Sequence, residues 1–270
     1  MDPTVQRSPR MRVRHRVPTD RPRTPFTSQR GHDVGSVAER LKMSMGHEIE
    51  VLAASEDDLR TTAALHVAEL PHGLFPRLGE GFVRRWHGAH LESRYGVVLV
   101  AKQDGEVVGF ALGTTDRPAN VAWIIGHRRR ELALAGLRAL LTRPVVAAGF
   151  VRTRGLRYAR RLLGRGAAPA RVAGRGDVPE AGFGPIAVLE AIVVAPERRG
   201  RSVGTALSEA FLSSVAAAGG DRVELITKAG ARGAAGFYER AGWRRVGSHV
   251  DRDGDEVHTY RIDPRFVRVR

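Results

Sequence analysis

Cysteine is absent from the 270 residues, which excludes disulfide staples, thiolate metal sites and a cysteine nucleophile. Long apolar runs are missing too. No stretch approaches the roughly 20 residues needed to span a bilayer, and the N-terminus lacks the apolar core of a signal peptide, so a cytoplasmic location is the simplest expectation. Aromatic residues make up only 6%, yet 42% of the chain is hydrophobic, enough for the core of one large domain or two small ones.

Acidic residues are also scarce: 29 Asp+Glu face 44 Lys+Arg, a net charge of +15. Such a surplus suggests a nucleic-acid binder, but its distribution argues against one. Residues 1–42 hold ten basic and four acidic residues, residues 127–176 hold thirteen arginines against the single Glu131, and the rest holds 21 basic and 24 acidic. The body is therefore slightly acidic, and no specific nucleic-acid partner is expected.

Residues 1–42 combine Pro, Arg, Ser and Thr without apolar periodicity, and they cannot bury enough surface to offset ordering entropy. A disordered basic tail over 1–47 is expected, and a translation start at Met43 or Met45 is an alternative. The body, 48–263, opens with a strand near Ile49–Leu52 and a helix capped at Ser55–Asp58 that runs to about Leu70. A second helix carries Phe82 and Trp86 at i, i+4 spacing. Two apolar runs, "GVVLVAKQ" and "EVVGFALGTT", meet across Asp104-Gly105, the strongest hairpin signal in the chain.

Over 127–176 leucines and arginines alternate in helical register, with a break at Pro144. One or two basic amphipathic helices are expected, inserted and packed on the body or suited to a weak contact with an anionic surface or acidic partner. The pattern then reads strand (about Ile186–Val194), helix (about Ser202–Ala217), strand (Arg222–Thr227), helix (about Ala231–Ala241) and a closing hairpin around Asp253-Gly254, followed by a short tail, 264–270. Strands alternating with helices and ending in a hairpin predict an α/β or α+β domain with mixed strand directions.

The corner "APERRGRSVGTA", Ala195–Ala206, joins a strand to a helix. A helix start offers about four unpaired amides and a partial positive charge, and glycine admits close backbone approach, so an anion cradle or an ordinary basic turn both fit. Gly200 and Gly204 do not make a G-x-G-x-x-G fingerprint, and Thr205 follows no lysine of a G-x-x-x-x-G-K-[ST] loop.

Two segments resemble the GCN5-related N-acetyltransferase (GNAT) superfamily. One is Val194-Ala195-Pro196 followed by Arg199-Gly200-Arg201-Ser202-Val203-Gly204. The other is "AAGFYERAGW", Ala234–Trp243, on the next helix. The resemblance implies a mixed, largely antiparallel sheet flanked by helices. It also implies an acetyl-CoA pyrophosphate held by free amides of Arg199, Gly200, Arg201, Ser202, Val203, Gly204 and Thr205, and a pantetheine arm pairing with the backbone of Val194. Ser202 stands where the family usually has glycine, though serine can cap the helix, and Ala231 stands where asparagine is frequent.

By the same resemblance Tyr238 is the candidate general acid. A phenol of pKa about 10 matches a thiolate of similar basicity, while a core role beside Phe237 is the plain alternative. Glu190, in an apolar strand and by period two on the face of Ile192 and Val194, is the candidate base, with a raised pKa expected; a carboxylate that only binds a cationic substrate is the alternative. Val194 or its neighbour could donate to the oxyanion. His66, His72, His87 and His90 show no metal-site spacing and read as surface or packing residues, and Glu80 and Trp86 could touch an acceptor. No metal is expected. The chain is thus expected to move an acetyl group from acetyl-CoA to a primary amine of a small molecule, amino sugar or protein in a ternary complex, or else to act as a non-catalytic acyl-CoA-binding module whose basic segment binds membrane, RNA or a protein. A homodimer is left open.

Overall fold

The computed structural model describes residues 49–151, 186–230, 234–251 and 254–266. The N-terminal tail, residues 152–185 with the second part of the basic segment, Ala231, Asp253 and the last four residues lie outside the described residues.

Seven strands, β1 (Ile49–Ala53), β2 (Gly96–Gln103), β3 (Glu106–Thr114), β4 (Ala187–Val194), β5 (Val223–Lys228), β6 (Arg244–Val250) and β7 (Glu256–Ile262), build one sheet in the order β1-β2-β3-β4-β5-β7-β6. Only β4 and β5 run parallel; every other neighbouring pair is antiparallel. This is the mixed, largely antiparallel sheet that the sequence predicts. At the β2–β3 turn Asp104 and Gly105 have φ of 53° and 84°, the pair of left-handed residues that a tight hairpin demands.

Both sheet faces are covered. On one side α6 (Val203–Ala217) lays Val203, Leu207, Phe211 and Val215 against Leu99, Ala111, Leu189 and Leu225, with Tyr238 of α7 (Ala234–Arg240) and Trp243 closing the cluster. On the other side α1 (Leu59–Glu69) and α3 (Glu80–Glu92) contribute Leu65, Trp86 and Leu91 to a core of Val100, Phe110, Leu112, Ala191 and Val193. The start of α1 is tied by Asp58, whose Oδ2 accepts from the amide and hydroxyl of Ser55 at 2.9 and 2.7 Å. Burial would raise that carboxyl, but Lys102, at 2.7 Å, and Ser55 hold it below the usual range.

A one-turn helix, α2 (Leu74–Arg77), precedes α3 and was not foreseen. The basic helix also differs from expectation at its start: α4 spans Arg117–Leu141, ten residues earlier than 127. Its N-cap explains the start, since the Asp116 side chain accepts from the Ala119 amide at 3.0 Å and Pro118 occupies the first turn. After the foreseen break, α5 begins at Pro144. One face of α4 packs on α3 through Ala139, Leu132 and Ala135 against Phe82, and Arg128 donates to Glu92 and Glu131. No helix among the described residues is long and apolar enough to cross a membrane.

Candidate active site

The sheet opens at its parallel pair. β4 and β5 are joined only at Ala187↔Val223, Val188↔Glu224 and Leu189↔Leu225. Beyond Leu189 the strands part, and Glu190–Val194 have no strand on that side. Towards β3, β4 stays paired as far as Gly109↔Val194, and the Ala195 amide donates to Val108 O at 2.9 Å. Because peptide groups alternate sides along a strand, the polar groups of Val194 point into the gap.

A bulge sits where the gap begins. Leu112 pairs with Ala191 and Gly113 with Leu189, leaving Glu190 as the extra residue. Gly113 permits this crossing, since a Cβ there would lie 2.4 Å from Val188 O and 2.6 Å from the Phe211 ring. The bulge switches the phase of the strand. Ala187 and Leu189 face α6, as do Ile192 and Val194, but Ala191 and Val193 face α1 and α3. Glu190 turns to His90 of α3, so the expectation that it shares a face with Ile192 and Val194 fails: period two does not survive an inserted residue.

The corner leaves its amides unspent. Pro196–Arg198 form a single 3₁₀ turn, and the first bond into α6 is Ala206 N to Ser202 O at 3.0 Å. Among the described residues the amides of Gly200, Arg201, Ser202, Val203, Gly204 and Thr205 donate no hydrogen bond. Gly200 (φ 74°) and Ser202 (φ 60°) are both left-handed, the backbone form in which successive amides converge into an anion-binding concavity. Ser202 adopts it at a cost of about 1–2 kcal/mol that glycine would not incur. Its side chain makes no capping bond, contrary to the expectation for a serine there, because an αL residue is not in the extended conformation that caps require.

Arg199 is used differently from its neighbours. Its amide donates to Pro196 O at 3.3 Å and so is not a free donor. Its Nε donates to Val194 O at 3.1 Å and its guanidinium pairs with Glu69 at the end of α1. Arg199 thus clasps the strand end to α1. Arg201 is exposed beside the amides. Gly204 faces the gap: a Cβ there would stand 3.5 Å from the Phe237 ring and 3.6 Å from Val194 Cγ2.

Tyr238 belongs to the core on the α6 side, its ring meeting Phe237 at 5.1 Å and Trp243 at 5.8 Å between centroids. Burial pushes its phenol up, making it a weaker acid than a free phenol, so the matched basicity that the sequence suggests does not hold in the fold as it stands. Its hydroxyl has no hydrogen-bond partner among the described residues.

Glu190 and three histidines meet on the opposite face. His90 is fully buried, with Nδ1 against Trp86 O at 3.1 Å and Nε2 3.4 Å from Glu190 Oε2. His87, also fully buried, has Nδ1 3.0 Å from Thr62 Oγ1 and Nε2 2.9 Å from His66 Nδ1. Both His66 and His87 lie against the Phe110 ring. Burial pushes His66 down to about 4, with Glu190 opposing, and pushes His87 down to about 2, helped by His66 and His90. The sequence reading had these as surface or packing residues and missed the chain. Its signal was there: Thr62 and His66 are four apart, His87 and His90 three apart, each pair on one face of its helix. His72 is not part of the cluster, and Trp86 enters it as a ring edge-on to His90 at 4.6 Å. Among the described residues no group of three or more His, Asp or Glu could hold a metal.

Comparison with known proteins shows what part of the chain resembles. Residues 166–243, which include the corner and α7, match the model of the "Acetyltransferase (GNAT) family". The resemblance to the GNAT superfamily is thereby shown. Solved structures similar in fold include Ard1 from Thermoplasma volcanium (15% identity, 80% of this chain and 97% of that one, TM-score 0.45). Another is the ribosomal-protein-S18-alanine N-acetyltransferase from Escherichia coli (13%, 80% and 93%, TM-score 0.43). A third is yncA, a putative acetyltransferase from Salmonella typhimurium with its cofactor acetyl-CoA (11%, 80% and 94%, TM-score 0.47). No curated protein matches the chain.

Proposed function

We propose that the protein is an acetyl-CoA-dependent N-acetyltransferase that acts by direct transfer to a primary amine. One observation carries the reading: a parted β4–β5 pair opens directly onto a corner whose amides from Gly200 to Thr205 are unspent. A site of that shape suits a ligand with an amide-bearing arm and a pyrophosphate end. The amides and the α6 dipole hold the pyrophosphate, and the free edge at Val194 receives the arm. Gly204 leaves room between Phe237 and Val194 for it to pass. Arg199 must yield Val194 O to the arm, and Glu69 keeps the displaced guanidinium nearby.

Acetyl-CoA supplies the acetyl group as a thioester. The chain, which has no cysteine to carry it, supplies proton management and orientation. Tyr238, a phenol that carries its proton at neutral pH, donates to the departing thiolate. Glu190, held at the bulge on the α1 and α3 side, receives the proton of the amine, and the Val194 amide donates to the developing oxyanion. Two helices thus present the acceptor across the opening from the coenzyme corner.

Thiol release over a panel of amines, amino sugars and peptides tests the reading. Once a responsive amine is found, Tyr238→Phe and Glu190→Gln should each lower kcat about a hundredfold, the low end for loss of a positioned acid or base. A double variant as fast as the parent would refute both roles.

A further inference from the structure

The carboxylate at the bulge faces a nitrogen that cannot be an ordinary neutral donor to it. Trp86 O is a carbonyl, so His90 Nδ1, 3.1 Å away, must carry a hydrogen. In a neutral ring Nε2 then bears only a lone pair, and it lies 3.4 Å from Glu190 Oε2 with the ring fully buried and without a hydrogen bond to any group among the described residues. Lone pair against carboxylate is repulsive. The contact becomes attractive only when the pair carries a proton, as imidazolium with carboxylate or as neutral imidazole with carboxylic acid.

We propose that Glu190 and His90 form a proton-sharing pair that holds one proton at rest, with His90 as the positioning partner of the base. The inference rests on the functional reading above for its role in acetyl transfer, though not for the proton itself. The other groups facing the pair do not relieve it. From α1, His66 stands near Glu190; from α3, His87 stands beside His90. Thr62 Oγ1 lies 3.3 Å from Leu59 O and 3.0 Å from His87 Nδ1, and His87 Nε2 lies 2.9 Å from His66 Nδ1; with the Thr62 hydrogen on Leu59 O, His87 Nδ1 donates to Thr62 and His87 Nε2 accepts from His66 Nδ1. In that tautomer every hydrogen of the chain points inward and ends on a carbonyl, which cannot take a proton. The chain therefore orients His66 and drains nothing. Arg199 and Glu69, at the strand end, are occupied with each other.

In transfer, the resting pair takes a second proton when the amine becomes an amide. The pair is then a carboxylic acid beside an imidazolium. It returns to one proton by release to solvent from Glu190, whose side chain is 24% exposed while that of His90 is not exposed at all. A pair of zero net charge also seats an amine without burying an isolated anion.

The test is nuclear magnetic resonance on the full chain carrying nitrogen-15 in its histidine rings and carbon-13 in its glutamate carboxyls, at pH 7. Either His90 Nε2 is protonated or the Glu190 carboxyl is, and Glu190→Gln abolishes that signal. A carboxylate at Glu190 together with an unprotonated His90 Nε2 would overturn the proposal. A kinetic arm separates positioning from packing: His90→Gln, which keeps a neutral donor to the carboxylate, should lower kcat about tenfold and shift the acid limb of kcat/KM for the amine, with acetyl-CoA affinity unchanged. Unaltered kcat and pH profile would overturn it as well. The resonance arm needs no substrate, so a chain that fails to bind acetyl-CoA sinks the functional reading alone.

Discussion

Thr205→Asp is expected to cut acetyl-CoA affinity about a hundredfold while leaving the melting temperature no lower than the parent's. Thr205 is the third residue of α6, half-buried, with an amide that has no partner. An aspartate in a first helical turn interacts favourably with the dipole, by about 0.3–1 kcal/mol. The fold therefore gains or is unmoved. The same charge stands at the proposed pyrophosphate site, and two anions within a few ångströms in a partly desolvated site repel by several kcal/mol at an effective dielectric constant of about 20. Thr205→Asn, which adds the shape without the charge, should lose less than about threefold. Calorimetric titration with parallel melting curves reads both quantities. Equal affinity in the aspartate variant would move the anion site away from the corner.

Between pH 7 and pH 5 the protein should lose about 4 kcal/mol of unfolding free energy, roughly half from each of two histidines. His66 is held down to about 4 and His87 to about 2 in the folded chain, against about 6.5 when unfolded. Both are therefore neutral in the fold throughout this window, while the unfolded chain takes up protons as the pH falls. The unfolded state binds more protons, so stability rises with pH: it is complete above about 6.5 and declines by about 1.4 kcal/mol per pH unit for each histidine below it. The carboxylates titrate mostly lower, which keeps the window clean. The groups facing these rings are Glu190 from β4 and His90 from α3. Urea midpoints at pH 7, 6 and 5 measure the slope, and His66→Gln should halve it. Stability that is flat across the window would show that the two rings are solvated.

The parts of this site that obey local chemistry could be read directly. The turn at Asp104-Gly105, the strand ending at Val194 and the helix that begins after Ser202 each follow from a few adjacent residues, and the structure places them as expected. What escaped depended on contacts between distant segments. The bulge at Glu190 sits opposite Gly113, far away in sequence, where a Cβ would clash with Val188 O and the Phe211 ring, and nothing in "IAVLEAIVV" announces it. The same holds for Arg199, whose amide and side chain are claimed by Pro196, Val194 and Glu69. The left-handed backbone at Ser202 runs against its residue type, which is why a capping role looked natural. The early start of α4 was legible in Asp116 and Pro118, but the arginine-rich composition further on drew the boundary to 127.

The central claim is that acetyl-CoA lies in the β4–β5 gap with its pyrophosphate on the corner amides. Its most direct test is a titration of the nitrogen-15-labelled full chain with acetyl-CoA, following backbone amide resonances. Saturable shifts should be largest at Gly200–Thr205 and Val194, absent from β6, and reproduced at the corner alone by adenosine 3′-phosphate 5′-diphosphate. Unchanged resonances at Gly200–Thr205 in the presence of excess acetyl-CoA would contradict it.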